Sequence, residues 1–134
     1  SKYEKVQTEF KAKFKAKFPN EPYVNQEAEN SYLAIYLYKQ MVERAKSTKR
    51  DDIRKVIAQG DVCMDAPEGK VCIDPKSQHM SHTIYLAKVG ADHSITFPKV
   101  WEDIKPYWLG EAGCDLTKKD PMAQYTPSNP PPKP

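Results

Sequence analysis

Asp61-Val-Cys-Met-Asp-Ala-Pro-Glu-Gly-Lys-Val-Cys-Ile-Asp-Pro-Lys-Ser-Gln-His-Met-Ser-His-Thr-Ile-Tyr-Leu-Ala-Lys-Val89 is the stretch whose reading decides the fold. Two short β-rich runs, Asp61–Asp65 and Lys70–Asp74, flank Ala66-Pro-Glu-Gly69. Proline presets φ for the second position of a turn and glycine accepts a positive φ after it, so the segment predicts a tight hairpin. With the turn centred on Pro67 and Glu68, one face pairs Val62 with Ile73 and Met64 with Val71. The other face pairs Asp61 with Asp74, Cys63 with Cys72 and Asp65 with Lys70. That alternation describes a hairpin with one side on a core and the other in water. If Ala66 and Gly69 close the turn as a hydrogen-bonded pair, Cys63 and Cys72 form a non-hydrogen-bonded pair, the class whose Cα atoms lie about 4.5 Å apart. This separation is near the short end of what a disulfide accepts, and a Cys63–Cys72 bridge is expected. Downstream, Thr83–Val89 predicts a third strand, Gly90–Ser94 a turn, and Ile95–Phe97 a fourth strand.

Upstream of the hairpin the periodicity is helical. Tyr3, Val6, Phe10, Phe14 and Phe18 recur in steps of three and four, with lysines elsewhere, and Pro19-Asn-Glu-Pro22 ends the run. A second helix is expected from about Asn25–Asn30 to Lys46, apolar around more than one face and therefore packed on several sides. Its Glu27 and Glu29 near the start and Arg44 and Lys46 near the end complement the helix dipole. Thr48-Lys-Arg-Asp51 has capping-box spacing and predicts a short third helix carrying Ile53, Val56 and Ile57, stopped by Gly60. After Phe97 come an aromatic patch (Trp101, Ile104, Tyr107, Trp108, Leu109) broken by Pro98 and Pro106, a turned Gly110–Gly113 segment, and a proline-rich end. Pro130-Pro-Pro132 favours polyproline II geometry, and the tail is expected to lie over a surface, anchored by Trp101, Trp108 and Tyr125.

The 134 residues carry 21 basic and 18 acidic side chains, a net charge of +3. So even a balance argues against dedicated nucleic-acid binding, and Lys11, Lys13, Lys15 and Lys17 read as the solvated face of the first helix. No apolar run is long enough to span a membrane and no signal peptide is visible. The start at Ser1-Lys-Tyr-Glu, already helix-like, reads as that of a processed or truncated product. Three cysteines without Cys-x-x-Cys spacing supply neither a disulfide scaffold nor structural zinc.

No nucleophile elbow, phosphate-cradling glycine loop or zinc-protease helix is present, so no catalytic residue is assigned and the chain is read as a non-enzyme without cofactor. His79 and His82, with Asp74, are the candidate metal ligands, but their irregular segment enforces no geometry and turn or packing roles are expected instead. Cys114, between glycine and aspartate in a loop, is the odd thiol, with no base beside it in sequence.

Glu27-Ala-Glu-Asn-Ser-Tyr-Leu-Ala-Ile-Tyr-Leu-Tyr38, Val42-Glu-Arg-Ala-Lys-Ser-Thr-Lys49 and Asp52-Ile-Arg-Lys-Val-Ile57 resemble the C-terminal third of type I periplasmic solute-binding proteins. Met64-Asp-Ala-Pro-Glu-Gly-Lys-Val-Cys-Ile-Asp-Pro75, then Gln78-His79 and Ile84-Tyr-Leu-Ala-Lys-Val89, are similar to the branch of urea and short-chain amide binding proteins and the amide-sensing regulator of amidase expression. The resemblance covers residues 1–97, leaving 98–134 as an aromatic and proline-rich extension. Lys46 stands where that family commonly has glycine, and Cys63 and Cys72 are not among its hallmarks.

The resemblance implies an α/β chain, the C-terminal segment of a two-lobed fold that closes on a small polar solute. Full-length members of the family are much longer, so the sequence looks like a piece of a whole, completed by an N-terminal part or another chain. The implied role is the solute-binding component of an ABC transporter, periplasmic, taking urea, an amide or an amino acid and docking on a membrane permease, with no nucleic acid involved. The alternatives are a ligand-sensing regulatory module or a non-catalytic interaction domain. An oxidising compartment suits the expected disulfide; reduced thiols suit a cytoplasmic sensor. In this fold the cleft is lined by helix ends and loops near the lobe crossings, which makes Glu27, Glu29 and Tyr32 the ligand-binding candidates. Carboxylates and a phenol can accept and donate hydrogen bonds to an amide. The competing roles are dipole compensation for the glutamates and core packing for the tyrosine.

Overall fold

The computed structural model describes residues 2–111 and 113–118. Its elements are α1 (Lys2–Lys17), α2 (Gln26–Ala45), α3 (Arg50–Ile57), β1 (Cys63–Ala66), β2 (Gly69–Cys72), β3 (His82–Val89), β4 (Ile95–Ile104) and α4 (Tyr107–Glu111). This is the mixed order of helices, hairpin and further strands expected from the sequence. Both sheets are antiparallel pairs, β1 with β2 and β3 with β4. The proline-rich end, with Tyr125 and Pro130–Pro132, lies outside the described residues.

The core lies between the first hairpin and two helices. Leu33, Leu37 and Met41 repeat every fourth residue of α2, so they share one face and meet Ile53, Val56 and Ile57 of α3 and Val62, Ala66, Val71 and Ile73 of the hairpin. On α2's flank, Phe10 of α1 packs at a tilt against Tyr32, with ring centroids 4.9 Å apart, and Tyr32 against Tyr36 at 4.6 Å. Ile35 and Tyr38 remain exposed, so α2 is covered on two sides and not all round.

The helix ends are built differently from the sequence pattern. Asn25 caps α2, its side chain accepting from the Ala28 N–H at 2.9 Å. At the other end Lys46 is left-handed, with φ of 51°, and takes the place a glycine commonly has after a helix. The expected Thr48 capping box does not form. α3 starts at Arg50 with Lys49 in the cap position, and Ser47 Oγ accepts from the Lys49 N–H at 3.1 Å. Ser47 thus holds the cap residue's own N–H, and no side chain caps the first turn of α3. Gly60, with φ of 77°, follows α3 as expected.

In the hairpin the register pairs Cys63 with Cys72, Met64 with Val71, Asp65 with Lys70 and Ala66 with Gly69. Cys63 and Cys72 are joined in a disulfide, with Cα atoms 4.1 Å apart, and Cys114 is free and buried. We expect thiol titration of the unreduced, denatured protein to find one thiol; three would contradict the bridge. Closing so short a loop contributes about 2–3 kcal/mol by chain entropy, so a Cys63→Ser, Cys72→Ser double variant is expected to unfold at correspondingly lower urea.

β3 and β4 form a longer ribbon. β4 runs to Ile104, well past the Phe97 limit expected for it. Pro98 is tolerated because the ladder slips there: Leu86 faces Lys99, Lys88 faces Thr96, and the proline falls in the bulge between. Beyond Thr83 the ribbon stands clear of the core, with Ile84, Leu86 and Trp101 exposed on one face and Tyr85 and Val100 on the other.

Candidate functional site

Polar groups gather where α2, the hairpin turn and the base of the ribbon meet. Glu29 lies one step ahead of Leu33 on the inner stripe of α2. Where the leucines meet strands, it meets the turn: its Oε1 accepts from the backbone N–H of Glu68 at 3.0 Å. The Glu68 side chain then reaches across to β3. Its Oε1 lies 2.8 Å from His82 Nδ1, and its Oε2 accepts from the Thr83 N–H at 3.2 Å. Tyr85 donates its hydroxyl to the Glu68 carbonyl at 2.6 Å. One turn residue therefore bonds through its N–H, its C=O and both carboxylate oxygens. The backbone that permits this is Gly69, at φ of 140°, because a Cβ there would lie 2.7 Å from Thr83 Oγ1.

The electrostatics are those of crowded acids with one imidazole. Burial, and then the nearby Glu68 charge, raise the Glu29 carboxyl above its ordinary value; the Glu68 N–H and His82 oppose the rise. A carboxyl raised in the native state favours folding below about 4.5, its unfolded value, and that contribution is lost as pH rises through the native value. At neutral pH the Glu29 charge is thus a cost, while its hydrogen bond to Glu68 is a gain. We expect Glu29→Gln, which keeps an acceptor without the charge, to match or exceed the wild type in urea stability at pH 7. Glu29→Ala, which leaves the Glu68 N–H without its acceptor, should cost about 1–2 kcal/mol. Equal losses in both variants would contradict this account. Burial, then the charges of Glu68 and Glu102, also push the Tyr85 phenol up.

The three candidates from the sequence do not converge. Glu27 is exposed on α2, its carbonyl accepting from the Ser31 hydroxyl. Glu29 turns to the hairpin, and Tyr32 turns to α1, where it helps line an open, largely aromatic groove of about 600 Å³ with Phe10, Phe14, Phe18 and Tyr23. Sequence reasoning missed Glu68, His82 and Tyr85 as a set. For Glu29 a signal was present, its four-residue spacing from Leu33, which puts it on the hairpin face. Asp74 and His79 form a turn of their own: Asp74 Oδ2 accepts from the N–H and hydroxyl of Ser77, both at 2.7 Å, and the Asp74 N–H donates to the His79 carbonyl. His79 is exposed and His82 is with Glu68, so the structure separates the two histidines. Among the described residues no group of three or more His, Cys, Asp or Glu is placed to hold a metal ion.

A family model described as a periplasmic binding protein domain matches residues 3–107, which takes in all three long helices, both hairpins and the polar cluster between them. The chain belongs to this family. No curated protein matches it. Binding-protein domains as a class hold small solutes and are generally non-catalytic, and the family points to the periplasm. Among the described residues no helix is long and apolar enough to cross a membrane. In this binding-protein domain, the Glu68 cluster occupies the passage from the helical body to the β3–β4 ribbon.

Proposed function

We propose that the protein acts in the periplasm as the solute-binding component of an ABC transporter, in the branch that takes urea and short-chain amides, and presents its solute to a membrane permease. The observation that carries this reading is the Ala66-Pro-Glu-Gly69 turn. On a binding-protein domain its Glu68 draws Glu29, His82 and Tyr85 to the base of the ribbon, and these polar groups suit a small hydrogen-bonding solute. Of the candidates at the start of α2, Glu29 is the solute contact in this proposal, serving both the turn and the solute, while Glu27 and Tyr32 point elsewhere. Equilibrium dialysis of the protein against radiolabelled urea, acetamide and leucine tests the branch. Saturable retention of urea or acetamide supports it. Retention of leucine alone keeps the solute-binding role and overturns the amide assignment.

A further inference from the structure

We propose that His82 and Glu68 form a proton-operated joint, which grips the base of the β3–β4 ribbon firmly in mild acid and slackens as the imidazole loses its proton. The ribbon leaves the core here: Ser81 and Thr83 are buried, whereas every residue from Ile84 to Val89 is exposed. Ser81 is tied to β2 by its N–H, which donates to the Cys72 carbonyl at 2.8 Å. From His82 onward the ties to the hairpin turn run through Glu68, to the His82 ring, the Thr83 N–H and the Tyr85 hydroxyl. The Glu68 side chain is 15% exposed and that of His82 28%, so solvent screens the pair only in part.

The charges around the pair give the joint its direction. Glu29 faces it from α2, and Tyr85 from β3; Glu102 of β4 and Tyr3 of α1 act on Tyr85. Lys70 of β2 and Asp103 of β4 line the adjoining cleft with Tyr3, Thr83 and Glu102. Of the groups bonded to the Glu68 carboxylate, His82 is the one that can gain a positive charge. With a neutral ring, the carboxylates of Glu29 and Glu68 stand together without that charge. With a protonated ring, the bond to Glu68 becomes charge-assisted, a class roughly twice as strong as neutral pairs, and the new charge also offsets Glu29. Imidazoles as a class are the side chains that change charge between about pH 5 and 8, so that is the range over which the joint is tested. The joint works whichever solute the protein takes.

Hydrogen exchange of peptides covering residues 84–104, corrected for the intrinsic pH dependence of exchange, tests this. In the wild type, protection is expected to fall by about fivefold from pH 5.5 to 8, the scale of replacing a charge-assisted bond by a neutral one. His82→Gln should flatten the profile, whereas His79→Gln and His93→Gln should leave it intact. Glu68→Gln, which removes the acceptor's charge, should flatten it as well and serves if His82→Gln does not fold. A flat wild-type profile, or a wild-type slope retained in His82→Gln or Glu68→Gln, overturns the proposal.

Discussion

Gly69→Ala is expected to destabilise the protein by about 2–4 kcal/mol, read as a lowered midpoint in urea unfolding. Two effects add. At φ of 140° an alanine sits in a region that side chains rarely adopt, so backbone strain appears whatever the space available. The new methyl would also lie 2.7 Å from Thr83 Oγ1 and 3.5 Å from Thr83 Cβ. The second distance is an ordinary contact and the first a clash, so with Thr83 buried either its hydroxyl must rotate or the strand must shift. A shift of the strand pulls the Thr83 N–H from Glu68 and loosens the ribbon. Gly110 provides the contrast. It lies within α4, and an added methyl there would meet nothing within 4 Å, so Gly110→Ala is expected to change stability by less than about 1 kcal/mol, in the stabilising direction if at all. Equal effects at the two glycines would mean that the close approach of β3 to the turn is not present in solution.

Leu33→Ala should cost about 3 kcal/mol, within the range of roughly 2–5 found for leucine truncations in cores. Leu33 is fully buried between the hairpin and α3, so the exchange removes apolar contact and leaves a cavity that rigid neighbours cannot fill. It also lies one helical turn from Glu29 and supports the face that holds the turn. Ile35, two residues on, points to the opposite side and is 67% exposed. Ile35→Ala should therefore move the thermal midpoint very little, since it changes stability by no more than about 0.5 kcal/mol. If Ile35→Ala proved the costlier of the two, the buried face of α2 would have to be reassigned.

What the sequence carried and what it did not differ by the range of the interaction. The hairpin register was legible because Pro67 and Gly69 define a turn and strand alternation fixes the pairs on either side, down to Cys63 opposite Cys72. The inner face of α2 was equally legible from its four-residue spacing. β4 was read too short because Pro98 normally argues against a strand interior; a bulge that leaves it unpaired is a property of two strands together. The α3 cap departs from the pattern by one residue: Lys49, not Thr48, holds the cap position, following a left-handed Lys46 that only the backbone reveals. The polar cluster was the least legible. Glu29, Glu68, His82 and Tyr85 come together only when a helix, a turn and a strand are assembled, and no local period links them.

The central claim is that this binding-protein domain serves a protein that closes on a small amide. Small-angle X-ray scattering of the protein, recorded over a titration with urea and with acetamide, tests it most directly. The account predicts a saturable decrease in radius of gyration with one of the two, abolished when the solute is dialysed away. Scattering profiles that stay superimposable from zero to saturating concentrations of both solutes would contradict it.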